Sequence, residues 1–316
     1  MNKKAVYGMQ NRIARELGMM RNYLQLLRAP HWIKNILVFV PLFFSMNFFD
    51  ASLIVGTVFG FVCFSLLSSI IYIFNDIRDI EKDRLHSTKC RRPLPAGRIS
   101  VSNAIIALVV LSLGLITLLV ILKLSGNSLL NIRSMGLLLL YVLLNVGYSW
   151  RLKNIPIVDI TILASGYVIR VLFGAMIIDV TISTWLYLVI TTGAYYLGLG
   201  KRRNEISSNE KNTRTVMRFY THNFLDKNMY VCMTLCLVFY TLWSIDPTTI
   251  EIFHTTAFIY TIPFLLIIFF KYSLNVEINA EGDPTSVILN DKVLLSLCAI
   301  YLICVFYIIY LNKAIL

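Results

Sequence analysis

Long apolar stretches alternate with short polar, mostly basic segments along nearly the whole chain. Stretches long enough to cross about 30 Å of hydrocarbon run over residues 33–49, 51–74, 101–123, 134–150, 157–178, 183–199, 229–245, 254–271 and 293–311. The pattern predicts an all-α integral membrane protein with nine transmembrane helices. Spans one and two touch with almost no linker, and Pro41 is expected to kink the first. Ahead of them Ile13, Leu17, Met20, Leu24 and Leu27 recur at three- and four-residue spacing among Arg12, Arg15, Arg21 and Arg28. That spacing predicts an amphipathic helix lying on the membrane interface. The chain is therefore read as an interfacial helix over residues 1–32 and one nine-helix membrane domain over residues 33–316.

Composition agrees, with 57% hydrophobic residues, 15% charged residues and a mean hydropathy of +0.71. These values exclude an ordinary soluble chain and a disordered one. Six cysteines, five of them inside or at the edge of apolar segments, define no disulfide framework, and no zinc spacing accompanies Cys232 and Cys236. No cleavable apolar core precedes the first span, so no signal peptide is expected.

The charge is uneven as well as positive, at +12 net from 29 basic and 17 acidic residues. Loops on one alternating side hold 25 of the 29 Lys and Arg, whereas the other side holds Lys123, Arg133 and Lys313, with Arg170 left inside a span. The positive-inside rule then places the N-terminus and the large loops in the cytoplasm and the C-terminus outside, as nine crossings require. Nucleic acid is not an expected partner, because no soluble module interleaves aromatic and basic residues.

Candidate chemistry gathers on the cytoplasmic side. The second span ends in Asn75-Asp76-Ile77-Arg78-Asp79-Ile80-Glu81-Lys82-Asp83. If the helix continues past the bilayer edge, Asn75, Asp76, Asp79 and Asp83 share a face through i, i+3, i+4 and i+7 spacing. Hard oxygen ligands without His or Cys favour Mg²⁺ held together with substrate phosphates. The competing reading is a solvated helix end whose acids pair with Arg78, Lys82 and Arg84. His86, Lys89, Arg91 and Arg92 follow, then the Pro93–Arg98 turn, and a metal flanked by a basic turn is what a diphosphate needs.

Further basic or polar candidates for substrate phosphate are Lys34, Tyr148, Lys153, Lys201, Arg202 and Glu205, alongside Lys89, Arg91 and Arg92. Lys201–Glu205 are expected in the loop after span six. Asp159, at the edge of span five, and Arg170, deep within it, are candidate cavity charges not expected to pair with each other. For Arg170, contact with a ligand and pairing with another helix are both open.

The Asn-Asp-x-x-Asp-x-x-x-Asp run resembles the first signature of the UbiA-type intramembrane prenyltransferase superfamily, and the likeness extends over residues 25–311. The resemblance implies nine helices around a cavity that opens to the cytoplasm and the bilayer, Mg²⁺ as cofactor, and Asp76, Asp79 and Asp83 as catalytic residues. Members that prenylate aromatic rings carry a second aspartate cluster after span six, where this chain has Lys201-Arg202-Arg203-Asn204-Glu205. With Arg28–Asn35, Lys89–Gly97, Tyr148–Lys153 and Glu281–Thr285 ahead of Asp291, that departure resembles the decaprenyl-phosphate phosphoribosyltransferase branch.

The resemblance implies transfer of a 5-phosphoribosyl group from phosphoribosyl diphosphate to a polyprenyl phosphate, for lipid-linked pentose and cell-envelope (cell wall) glycan synthesis at the cell membrane. The alternative is prenyl transfer from an isoprenoid diphosphate to an aromatic or other acceptor. A transporter or flippase would need functional polar groups on both membrane faces, and the sequence has them on one. Lipid chain length and the choice between monomer and homo-oligomer are left open.

Overall fold

In the computed structural model of the chain, residues 16–86, 89–124, 131–207, 215–278 and 283–311 are described, and the regular elements among them are all helical. Helix α1 covers residues 16–26, with Ile13 and its neighbours lying outside the described residues. There follow α2 (Val40–Phe44), α3 (Ala51–Arg78), α4 (Ile80–Arg84), α5 (Val101–Leu124), α6 (Ile132–Trp150), α7 (Val158–Ile177) and α8 (Thr184–Ser207). The remainder are α9 (His222–Ile245), α10 (Pro247–Phe253), α11 (Ile262–Ile278), α12 (Pro284–Asn290) and α13 (Lys292–Phe306).

Seven helices among the described residues are long and apolar enough to cross a membrane. The two other expected spans depart for visible reasons. Around the first, the apolar segment Ala29–Phe44 is short. It winds as a 3-10 helix over Ala29–Phe39 before one α-helical stretch. Pro41 does not kink this stretch but opens it, at a position where the missing N–H costs nothing. Around the sixth, α8 has 24 residues, but Thr, Tyr and Gly dilute it, and it runs on past residue 199 through Lys201-Arg202-Arg203-Asn204-Glu205. Those residues occupy the last two helical turns instead of a loop.

The chain divides into two compact units, one spanning Met1–Asn35 with Val62–Asn127 and the other Ile36–Phe61 with Ser128–Leu316. The first is cored by Leu26 of α1, Ile73 of α3, Leu94 and Ile99 of the basic turn and Ala104 of α5. Leu17, Met20 and Leu24 on α1 remain exposed, an apolar face suited to an interfacial anchor. Helix α5 is apolar all round, and Ile106, Val110 and Leu113 point outward.

The second unit has two cores. One joins α8, α9, α11 and α13 through Tyr196, Leu199, Leu225, Met229, Tyr272 and Leu294. The other is aromatic, with Trp243 and Phe258 at 4.7 Å between ring centroids. Asp291 caps α13 at Leu294 N (2.8 Å) and takes Lys271 Nζ of α11 at 2.8 Å. Those two bonds hold its carboxyl down at about 2.

Helix α7 meets the backbone of residue 38 closely, since a Cβ at Gly174 would lie 2.1 Å from the Val38 carbonyl oxygen. Backbone cannot swing aside as a side-chain tip can. Gly174→Ala is therefore expected to destabilise the folded protein by about 1–3 kcal/mol, read as a lower melting temperature in detergent. Gly136→Ala, where nothing stands within 4 Å, is the matched control and should lose none.

Candidate functional site

The acidic face at the end of α3 forms as the spacing predicts. Asp79 N donates to Asn75 O at 2.9 Å and Asp83 N to Asp79 O at 2.8 Å, so the helical hydrogen-bond pattern carries across the one-residue break between α3 and α4. Asp76 and Asp83, two turns apart, are buried, while Asn75 and Asp79 are partly buried.

The side chains on the two buried acids come from outside this helix. Arg92 Nη1 lies 3.1 Å from Asp76 Oδ1 and 2.6 Å from Asp83 Oδ2, and Arg28 Nη2 lies 2.5 Å from Asp76 Oδ1. Arg28 has a positive φ of 52° and stacks its guanidinium 4.5 Å from the centroid of the Tyr72 ring. Trp32 Nε1 bonds Ser69 Oγ at 3.0 Å and Asn35 Nδ2 bonds Ser65 Oγ at 3.0 Å, which fixes the segment after Arg28 along α3.

Arg92 is aimed by the turn that follows it. Pro93 O accepts from Arg98 N and Ile99 N, Gly97 supplies the φ of +70° that closes the turn, and Leu94 is sunk in the core. Burial and the Arg28 charge push the Arg92 guanidinium down from its ordinary range, and Asp76 and Asp83 act against them.

Among the described residues no group of three or more His, Cys, Asp and Glu side chains stands close enough to hold a metal by itself. The donors nevertheless suit Mg²⁺, which characteristically takes one or two carboxylates and completes its shell with water and substrate phosphates. A single cationic nitrogen already lies within bonding distance of two carboxylates here, so Asp76 and Asp83 converge on a point that favours positive charge.

A second polar cluster lies within the other unit. Arg202, with no exposed surface, donates from Nε to Asp159 Oδ2 (2.7 Å), from Nη1 to Glu205 Oε2 (2.5 Å) and from Nη2 to Tyr148 OH (2.9 Å). Tyr220 OH donates to Asp159 Oδ1 at 2.5 Å and accepts from Ile157 N at 2.7 Å. Burial, then that bond to Asp159, pushes the Tyr220 phenol up. Ile157 has φ +68°, a strained conformation for a β-branched residue.

The sequence profile of the UbiA prenyltransferase family matches residues 36–297. The chain belongs to that family. The decaprenyl-phosphate phosphoribosyltransferase of Corynebacterium glutamicum is 31% identical over 298 residues, covering 90% of this chain and 86% of that protein. The protein of the same name from Mycolicibacterium smegmatis is 30% identical over 283 residues, covering 84% and 86%. Among solved structures, a UbiA homolog from Archaeoglobus fulgidus bound to GPP and Mg²⁺ aligns with a TM-score of 0.66 at 20% identity, covering 91% of this chain and 99% of that one. That likeness is one of fold.

This UbiA-family chain is thus a multi-pass membrane enzyme of a transferase family, and its sequence-derived candidates fall into distinct places. Asp76, Asp83 and Arg92 come together in the first unit, with Asn75 and Asp79 on the same helical stretch. Lys34 and Lys89 in that unit, and Lys153 and Lys201 in the other, are partly buried, and Arg91 is exposed. Glu281 and Gly282 lie outside the described residues, whereas Asp283 stands at the N-terminus of α12.

One expectation is corrected. Arg202 is not placed to touch phosphate, because a guanidinium with no exposed surface and a partner on Nε, Nη1 and Nη2 faces the protein. Asp159, in the first turn of α7 as expected at the end of that span, is fully buried in the same network. Arg170, for which the sequence leaves ligand contact and pairing with another helix both open, donates to Tyr141 OH of α6 at 3.1 Å and to Gly166 O at 2.5 Å. Of the pairs in the competing reading, Arg84 meets Glu81 at 2.9 Å, while Asp76 takes Arg28 and Arg92 and Asp83 takes Arg92.

Sequence reasoning missed the partnership of Arg28 with Asp76, and it passed over Tyr220 and Tyr141. The one signal available for the second cluster was the i, i+3 spacing of Arg202 and Glu205, visible once α8 is extended to Ser207.

Proposed function

We propose that this enzyme transfers the 5-phosphoribosyl group of phosphoribosyl diphosphate to a polyprenyl phosphate of decaprenyl-like type, releasing pyrophosphate, in a Mg²⁺-dependent reaction. The carrying observation is the convergence of Asp76 and Asp83 beside Arg92 in a chain about 30% identical over most of its length to decaprenyl-phosphate phosphoribosyltransferases. Asn75, Asp76, Asp79 and Asp83 would hold the ion. When bound, Mg²⁺ supplies positive charge to the leaving diphosphate.

The chain's own residues do the rest. Arg28 and Arg92 orient the two buried carboxylates, and Arg92 with Lys34, Lys89 and Arg91 supplies cationic groups for phosphate oxygens. Lys153 and Lys201 are the remaining phosphate candidates. A phosphate on the lipid is already ionised, so the anomeric carbon–oxygen bond to diphosphate breaks as the bond to the lipid phosphate forms, with no strong base required. The product would serve lipid-linked pentose and cell-envelope glycan synthesis.

The loop charges support nine crossings with a cytoplasmic N-terminus and a site on the cytoplasmic face of the cell membrane. A soluble donor and a bilayer-soluble acceptor then meet at one interface. Purified protein given radiolabelled phosphoribosyl diphosphate, polyprenyl phosphate and Mg²⁺ is expected to move label into the lipid. Label that stays in the aqueous phase, with transfer seen from an isoprenoid diphosphate to an aromatic acceptor, would replace this reading by prenyl transfer.

A further inference from the structure

Helix α3 carries a polar line of which the acidic run is only the end. Ser65, Ser69, Tyr72 and Asp76 stand three or four residues apart and share a face. Residues 27–35 are bonded along it. Ser69 Oγ donates to Leu27 O at 2.8 Å and accepts from Trp32 Nε1 at 3.0 Å, and Ser65 Oγ accepts from Asn35 Nδ2 at 3.0 Å. Hydroxyl groups within an apolar helix are costly unless bonded, so these contacts strap the segment to α3. Within the strap Arg28 has a φ of 52°, with His31 N donating to Arg28 O at 2.8 Å. For arginine that conformation persists only where its surroundings enforce it.

What the strain secures is the place of one guanidinium. Arg28 reaches both Tyr72 and Asp76, one helical turn apart on α3. Its guanidinium carbon lies 4.5 Å from the centroid of the Tyr72 ring and its Nη2 2.5 Å from Asp76 Oδ1. The ring face of Tyr72 makes that contact, not its hydroxyl. Arg92 completes the arrangement through a single nitrogen, Nη1, on Asp76 Oδ1 and Asp83 Oδ2. Two guanidiniums thus neutralise two carboxylates whose side chains are 4% and 7% exposed.

Charges so buried are weakly screened, and their balance decides what can enter. A bare divalent cation would add two positive charges beside two guanidiniums, and Mg²⁺ gives up its water reluctantly. A bare diphosphate would meet the two carboxylates. A complex of both brings its own neutralisation.

We propose that Arg28, held by Tyr72, is a fixed counter-ion that, with Arg92, makes the Asp76 and Asp83 pair select a divalent cation together with diphosphate and reject the bare ion. Arg28 is then a specificity-determining residue, and Tyr72 a positioning residue that acts through it. The inference rests on the Mg²⁺ and diphosphate part of the proposed reaction, and holds for a sugar or an isoprenoid donor alike.

The test uses full-length protein in detergent and two probes. Mn²⁺, followed by its electron paramagnetic resonance signal, stands in for Mg²⁺, and radiolabelled inorganic pyrophosphate is bound with and without Mg²⁺. Wild type is expected to hold Mn²⁺ alone weakly and to hold pyrophosphate far more tightly with Mg²⁺ than without. Arg28→Met should tighten Mn²⁺ alone by about tenfold, because one opposing charge is gone while Arg92 still meets both acids. Adding Asp83→Ala should abolish that gain. The increase in pyrophosphate affinity produced by Mg²⁺ should shrink by a similar factor, since coupling between two ligands is reciprocal. Tyr72→Leu should move both readouts in the same direction by about threefold and add nothing to Arg28→Met, whereas Tyr72→Phe keeps the ring face and should match wild type. The Tyr72 variants carry the test if Arg28→Met does not fold.

A merely structural role would weaken every ligand and tighten none. Unchanged or weaker Mn²⁺ binding in Arg28→Met and Tyr72→Leu therefore overturns the counter-ion. If wild type binds pyrophosphate equally with and without Mg²⁺, and Asp83→Ala changes nothing, the metal and diphosphate reading falls and the selectivity with it. Pyrophosphate binding that needs Mg²⁺, with no tightening of Mn²⁺ in the variants, removes the counter-ion alone.

Discussion

Asp83→Ala is expected to abolish turnover while the protein still folds and inserts, and Asp79→Ala to do the same. Both carboxylates belong to the set proposed to hold Mg²⁺, which when bound would supply positive charge to the leaving diphosphate and so favour the transition state over the ground state. Loss of about 4 kcal/mol of that stabilisation corresponds to roughly a thousandfold in kcat. The fold survives Asp83→Ala because Arg92, 2.6 Å from Asp83, keeps Asp76 at 3.1 Å, so no cation is stranded. Asp79 is only partly buried, and its backbone continues the helical bonding whatever its side chain. Transfer assays at limiting Mg²⁺, with size-exclusion profiles and melting temperatures beside them, decide the matter. Near-normal rates for both variants would remove the metal assignment.

The first cluster was legible because its information is local. Asn75, Asp76, Asp79 and Asp83 lie within nine consecutive residues, and helical periodicity alone puts them on one face. The basic turn that supplies Arg92 follows directly, and Pro93, Pro95 and Gly97 mark it as a turn. Apolar run length located the helices in the same way, since each expected span contains helix in the structure. Seven of them pass on length and hydropathy, and the exceptions arise where local composition is mixed, at the 3-10 segment before Pro41 and along α8.

The second cluster was illegible because its partners are separated in sequence by 43 (Arg202 and Asp159), 54 (Arg202 and Tyr148) and 61 (Tyr220 and Asp159) residues. Which helices pack together decides such pairs, and no spacing encodes it. Lys201-Arg202-Arg203 reads as three equivalent bases in sequence. On a helix they point in three directions about 100° apart. Arg202 turns into the protein, and Arg203 meets Asp226 at 3.0 Å. The acids of α3 show the same limit, because Arg28 reaches Asp76 from 48 residues away, while the neighbouring Arg84 takes exposed Glu81.

Arg202→Met is expected to cost about 3–5 kcal/mol of folding stability, the usual effect of leaving buried charges without their partner. The Asp159 side chain has no exposed surface and that of Glu205 9%, so removing the guanidinium takes a positive charge from between two carboxylates in a mostly buried network. Arg202→Lys should recover only part of the loss, since one ammonium on a flexible stem does not reproduce a planar fork that meets Asp159, Glu205 and Tyr148 at once. Neutralising the acids as well should restore more. The triple variant Arg202→Met, Asp159→Asn, Glu205→Gln is expected to melt closer to wild type than Arg202→Met alone, which non-additivity of this size identifies as a coupled network. Lys201→Gln, one residue away on a different helical face, should leave the melting temperature unchanged and raise KM for a phosphorylated substrate instead. Thermal unfolding in detergent reads the first effect and steady-state kinetics the second. If Arg202→Met melts like wild type and merely raises KM, the guanidinium serves phosphate after all, and the buried network does not hold in the working enzyme.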